Sequence, residues 1–251
     1  MKALLASVAL ALLALGGRFP ALAQAPAGLA TAPMLSSGKV HFLKAAALPE
    51  LVRLQPAPPA AGSLAAQADL EAVLQVQTWR TPEQVAFAKK IDEGSVFDFA
   101  EVLGPWFTAA RLPLLKQLFK QIDVDAGTAC GQAKRHFARL RPPYLDPRIQ
   151  PCIVTPPRSS FSYPSGHSTR LYVEALVLGE LFPDRQQELQ AWAHKAAWGR
   201  IIAGVHFPSD DMGGRILAEA LFVLLKGNPE VLSAIEKCRA EAAPLLLKKA
   251  G

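Results

Sequence analysis

From Ser63 onward the apolar residues fall at helical spacing. Leu64, Ala68, Leu70, Val73, Leu74 and Val76 line up on one face of a helix. Thr81 ahead of Pro82 supplies a fresh start, a capping hydroxyl before a proline at the first helical position. Further helical runs are predicted near 83–103, 112–122, 126–140, 165–182, 186–203 and 208–226. The alternation that marks strands is scarce, no segment repeats, and Gly and Pro mainly punctuate between helices. The pattern therefore predicts an all-α fold, a single compact helical-bundle domain over residues 63–251.

Upstream the pattern changes twice. Residues 24–62 are rich in Ala and Pro, including Gln55-Pro56-Ala57-Pro58-Pro59, and read as an extended N-terminal arm or linker. Residues 1–23 read as a signal peptide: Lys2 is the positive start, Ala3 to Leu15 the apolar run, and Ala21-Leu22-Ala23 the small-residue cleavage site. That run is short for a membrane anchor, which typically needs about 20 residues. Ile216 to Leu225 is interrupted by Glu219 and stopped by Lys226-Gly227. The expectation is export to a periplasm or beyond, without stable membrane insertion. Homo-oligomerisation stays open.

Charge and cysteines sharpen the picture. The formal net charge of +6 would fall to +4 on loss of Lys2 and Arg18 with the signal. Between Cys130 and Arg170 lie seven basic residues (Lys134, Arg135, Arg139, Arg141, Arg148, Arg158, Arg170) against one acid, Asp146. Such a local excess suits an anionic ligand, or else a solvated basic face. No aromatic-interleaved basic patch accompanies it, so nucleic acid is not an expected partner. An exported chain with three cysteines can form one disulfide, and Cys130 with Cys152 are the closest pair in sequence. Closing that loop would contribute about 3 kcal/mol.

Three clusters carry candidate chemistry. In Lys134-Arg-His-Phe-Ala-Arg-Leu-Arg141-Pro142-Pro143, the two outer cations are two helical turns apart and are expected to share a face, with the tandem prolines ending the helix. Together they could clamp a phosphate, Arg141 as a fork and Lys134 as a point charge. In Tyr163-Pro164-Ser165-Gly166-His167 a turn leads into an amphipathic helix. There backbone N–H groups and the helix dipole form an anion site, Ser165 can donate a hydrogen bond, Gly166 permits close approach, and His167 can protonate a leaving group. In Gly199-Arg200-Ile-Ile-Ala-Gly204-Val-His206-Phe-Pro208-Ser-Asp210, Asp210 can reach back to orient His206 as a nucleophile. No third and fourth metal ligand stand at a recognisable spacing, so no metal site is expected.

With these residues the chain resembles the bacterial class A non-specific acid phosphatases, members of the type-2 phosphatidic acid phosphatase and vanadium haloperoxidase superfamily. Their pattern is Lys-x6-Arg-Pro, Pro-Ser-Gly-His and Ser-Arg-x5-His-x3-Asp. Here it reads Lys134-x6-Arg141-Pro142, Pro164-Ser165-Gly166-His167 and Gly199-Arg200-x5-His206-x3-Asp210. The likeness runs from about Leu48 to Asn228 and includes the arm ending Ala61-Gly62-Ser63 and the stretch from Ala175 to Gln186.

The resemblance implies a metal-independent, cofactor-free and vanadate-inhibitable hydrolase of phosphate monoesters, nucleotides among the candidate substrates. His206, Asp210 and His167 would be catalytic, with a phosphohistidine intermediate. Lys134, Arg141, Ser165, Gly166 and Arg200 would bind phosphate. One departure is Gly199, where the family has Ser, and altered pocket hydrogen bonding is expected from it.

Other readings fit less of the sequence. A vanadium haloperoxidase would share the pocket, but this chain is short for that branch. A phosphate-binding protein with impaired catalysis would have no use for His167 opposite His206. A serine hydrolase would need a Gly-x-Ser-x-Gly elbow around Ser165, which is missing. Trp79, Trp106 and Trp198 are expected in the core, and His41, His136 and His194 in surface or structural positions.

Overall fold

The computed structural model describes residues 39–247. The proposed signal peptide and the first part of the arm lie outside them. Nine α-helices and four short 3-10 turns make up the described residues, with no strand among them. The helices are α1 (Leu48–Leu54), α2 (Leu64–Trp79), α3 (Pro82–Asp92), α4 (Ala100–Leu103), α5 (Pro113–Phe137), α6 (Gly166–Leu181), α7 (Gln186–Ile202), α8 (Pro208–Lys226) and α9 (Pro229–Leu247). Thr81 and Gln84 form a reciprocal capping box on α3, and Ser63 caps α2 through the Ala66 N–H.

Helix α6 is the axis. Leu171, Val173, Ala175, Val177, Leu178 and Leu181 are buried around its whole circumference, because α5, α7, α8 and α9 enclose it. A helix packed in this way has no fully exposed residue, so its N-terminus is held by the core. At that end α6 and α8 lie against each other. A Cβ on Gly214 would stand 2.8 Å from the Ser165 carbonyl oxygen and 2.7 Å from Ser168 Cβ. Only hydrogen fits there.

Several boundaries differ from the pattern. The arm is not extended throughout: residues 48–54 form α1, and Leu48 and Leu51 enter the core. The predicted runs 112–122 and 126–140 are one 25-residue helix, α5. The gap between those runs holds Asp125, which is buried within the helix because its carboxylate accepts the N–H groups of His41, Phe42 and Leu43 at 2.7, 2.9 and 3.2 Å. The predicted run 83–103 breaks after Asp92 into a 3-10 turn at Val96–Phe99 and then α4. Helix α9 was not predicted. It buries Val231, Ile235, Cys238 and Ala242, and its Glu241 caps α5 by accepting the N–H groups of Leu114 and Leu115. Trp79 is 72% exposed rather than in the core, whereas Trp106 is buried.

Candidate active site

The site forms where α5, α6, α7 and α8 bring their chemistry-bearing ends together. Helix α7 stops at Ile202, and Gly204, at φ +77°, turns the chain so that Val205 and His206 run inward. Pro208 then begins α8, and the Asp210 carboxylate folds back on the turn it closes. Asp210 Oδ2 accepts the Phe207 N–H at 2.9 Å and lies 3.1 Å from His206 Nδ1.

The other ring nitrogen of His206 faces a cation. Arg141 Nη1 stands 2.9 Å from His206 Nε2 and also donates to the Val205 carbonyl at 2.9 Å. Arginine only donates, so Nε2 must present its lone pair and Nδ1 must carry the proton to Asp210. The imidazole is thereby fixed as one tautomer, with its reactive lone pair turned toward positive charge.

Around it stand the other basic residues of the motifs. Lys134 donates to the carbonyls of Phe161 and Ser162, the latter at 3.0 Å. Arg200 is ion-paired to Asp92, and its Nε is buried without a partner among the described residues. Burial holds Lys134 down at about 8 and Arg141 at about 10, with their cationic neighbours adding to the effect. The same burial, followed by Arg141, Lys134 and Arg200, pushes His206 well below its ordinary value. Asp210 is pushed up by burial, while Arg139, the Phe207 N–H and Lys134 pull it back.

Ser165 caps α6 by accepting the Ser168 N–H, and its own N–H donates to the Asp210 carbonyl at 2.9 Å, tying the second motif to the third. A Cβ on Gly166 would make only ordinary contacts, 3.6 Å from Cys130 Sγ. His167 lies nearer the surface, its side chain 30% exposed while that of His206 is 1% exposed. Its Nε2 lies 3.1 Å from the Asp92 carbonyl oxygen. Burial and then Arg200 hold its imidazole down at about 3.

Two expectations are corrected here. Lys134 and Arg141 do not share a helical face. Helix α5 ends at Phe137, Ala138 adopts a left-handed conformation at φ 48°, and Arg141 is extended beyond the turn. The two cations converge because the chain doubles back. Cys130 and Cys152 are free thiols, not a disulfide. Cys130 Sγ lies behind the second motif, 3.5 Å from the Pro164 carbonyl oxygen, while Cys152 Sγ packs at the end of α7 near the Ile202 carbonyl. The position of Gly199 faces α3, where a Cβ would lie 3.7 Å from Ala88 Cα, so its missing side chain bears on the α3–α7 seam.

The motifs did not reveal three further residues. Arg139 donates to Asp210 Oδ1 at 2.8 Å, to Ser209 Oγ at 2.7 Å and to Asp69 Oδ2 at 2.7 Å, and its guanidinium stacks 4.0 Å above the Phe207 ring. Asp69, on α2, secures it from behind, and Asp92, on α3, reaches Arg200 and His167. Arg139 stood in the basic run, but nothing local distinguished it from Arg135.

Known proteins supply an independent comparison. A non-specific acid phosphatase of Providencia stuartii is 29% identical over 214 residues, covering 82% of this chain and 86% of that protein. An acid phosphatase of Zymomonas mobilis subsp. mobilis is 32% identical over 148 residues, and this chain spans 55% of its length. Among solved structures, a bacterial vanadium-dependent iodoperoxidase superposes with a TM-score of 0.57 at 20% identity, over 71% of this chain and 53% of that one, a likeness of fold. Residues 124–229, which hold all three motifs and the whole of α6 and α8, match the PAP2 superfamily, and it is to this superfamily that the chain belongs.

Proposed function

We propose that this protein is an exported, class A-type acid phosphatase that hydrolyses phosphate monoesters through a phosphohistidine on His206, without a metal. The observation that carries the reading is the 2.9 Å approach of Arg141 Nη1 to His206 Nε2. It sets a nucleophilic lone pair against a cation, where an anionic phosphorus centre would be drawn in. Lys134, Arg141 and Arg200 repel one another in a buried pocket, and a phosphate dianion relieves that repulsion. The relatives named acid phosphatase support the same substrate class.

In the first step the Nε2 lone pair of His206 attacks phosphorus and the bond to the leaving oxygen breaks. The proton on Nδ1 stays shared with Asp210, which stabilises the imidazole as it becomes positive. His167, nearest the opening, gives a proton to the departing alkoxide. In the second step a water loses its proton to His167 as its oxygen attacks phosphorus. The P–N bond breaks, and inorganic phosphate leaves with His206 restored.

The electrostatics favour acidic conditions. Burial, then Arg141, Lys134 and Arg200, disfavour protonation of His206. His167, held down by burial and then by Arg200, gains its proton when a bound dianion offsets them, so its protonated form is favoured toward low pH. Export rests on the leader-like residues 1–23. Among the described residues no helix is long and apolar enough to cross a membrane.

The test is turnover of p-nitrophenyl phosphate at acidic and neutral pH with excess chelator, beside His206→Ala. Chelator-resistant turnover that disappears in the variant is expected, as is a base-quenched protein heavier by one phosphoryl group. Folded wild-type protein without turnover on this ester or on nucleotides would overturn the proposal.

A further inference from the structure

Asp92 belongs to none of the motifs and lies outside residues 124–229, yet it touches two groups of the site at once. Its carboxylate is ion-paired to Arg200 Nη1 and stands 3.8 Å from His167 Nε2, and its main-chain carbonyl lies 3.1 Å from that same nitrogen. It is the last residue of α3. A carboxylate there opposes the negative end of the helix dipole, so local helix energetics do not explain it. The tertiary contacts do.

Those contacts divide the work. A carbonyl only accepts, so it holds the proton of neutral His167 on Nε2 and leaves Nδ1 as the nitrogen that can load a second proton and release it. The charged groups bearing on His167 are Arg200 from α7, Arg170 from its own helix and Asp92 from α3, with His206 also facing it across the pocket. Asp92 is the one acid among these. On the Arg200 side, Asp92 occupies Nη1, while the buried and unpartnered Nε remains for a phosphoryl oxygen.

We propose that Asp92 is a positioning residue of the active site, one that fixes Arg200 for the phosphoryl group and supports His167 as the proton donor to the leaving group through Nδ1. The assignment rests on the phosphatase reading above. It adds a selectivity: the residue matters most for esters whose leaving oxygen is strongly basic. A nitrophenolate departs with little help, whereas an alkoxide needs the proton.

The experiment compares kcat/KM for p-nitrophenyl phosphate and glycerol 2-phosphate in the wild-type chain, Asp92→Asn and Asp92→Ala. Asparagine keeps an oxygen for Arg200 and the main-chain carbonyl for His167 but removes the charge. Asp92→Asn should lower kcat/KM about 30-fold or more on glycerol 2-phosphate and less than about threefold on the nitrophenyl ester. Asp92→Ala, which also frees Arg200, should add a loss common to both esters. Equal losses on the two esters in Asp92→Asn would mark a merely structural residue and overturn the assignment, as would undiminished turnover of glycerol 2-phosphate.

A second readout needs no turnover. The His167 ring, followed by NMR with and without inorganic phosphate, should hold its proton to a lower pH in Asp92→Asn than in the wild type. Identical titrations would overturn the assignment. If the wild-type protein hydrolyses neither ester, the phosphatase reading falls and the titration alone judges Asp92.

Discussion

Replacing Arg139 by Met removes the cation between two carboxylates. Its side chain is 10% exposed and those of Asp69 and Asp210 are 9% and 0% exposed, so little water or salt can take its place. Asp210 would retain the Phe207 N–H and His206, and Asp69 the Ser209 N–H, but no full positive charge would pair with either. Breaking a buried pair of this kind costs about 3–5 kcal/mol, and the lost stack on Phe207 adds roughly 1 kcal/mol. Burial already raises the Asp210 value, and without Arg139 it rises further. A carboxylate with a raised folded value keeps its proton at low pH and forfeits stability as the pH climbs through that value. The ionic part of the loss should therefore be small near pH 4, close to the ordinary carboxylate value, and larger at pH 7. Urea denaturation of both proteins at the two pH values gives the difference directly. Activity should fall roughly 100-fold, because a protonated Asp210 no longer takes the His206 Nδ1 proton as an anion. A loss under about 1 kcal/mol at both pH values, the worth of an exposed ion pair, would refute the reasoning.

Three further expectations follow from other parts of the molecule. Gly214→Ala places a methyl group against the Ser165 carbonyl and should cost about 1–3 kcal/mol, seen as a lower Tm, with reduced turnover because the same backbone carries the second motif. Asp123 is raised to about 6 by burial, so it forfeits stability as the pH rises from its ordinary 3.8 through 6. Asp123→Asn should therefore gain on the order of 2 kcal/mol at pH 7 and almost nothing at pH 4 in the same denaturation assay. Vanadate or phosphate should raise the Tm by an amount equivalent to about 2.7 kcal/mol at a hundredfold excess over Kd. Arg141→Ala, lacking the guanidinium beside His206, should lose most of that shift in a thermal scan.

Much of this was legible in the chain itself. Helical spacing announced α2, α6, α7 and α8 close to their observed limits, because an amphipathic or wholly apolar period survives whatever the helix packs against. The residues placed around the pocket were all within the three motifs. The α9 stripe Val231, Ile235, Cys238 and Ala242 is also periodic, but the charged residues between obscured it. The gap predicted between 122 and 126 closes for a tertiary reason: Asp125 stays inside the helix because it binds three N–H groups of residues 41–43.

By itself, then, the sequence determined the helical class and the three motifs that nominate His206, His167 and Asp210 for the proposed chemistry, since these depend on residue type and near spacing. Only the tertiary structure decided how the groups meet. It showed that Arg141 approaches His206 from an extended segment after a left-handed Ala138, that Cys130 and Cys152 stay apart, and that Asp69, Arg139 and Asp92 contact the motif residues or their partners. The ion pairs of Arg139 with Asp69 and of Arg200 with Asp92 span 70 and 108 positions of chain. No local pattern encodes such a contact, because a buried charge is held where it is by the partner that neutralises it, and that partner is chosen by the packing of the whole bundle.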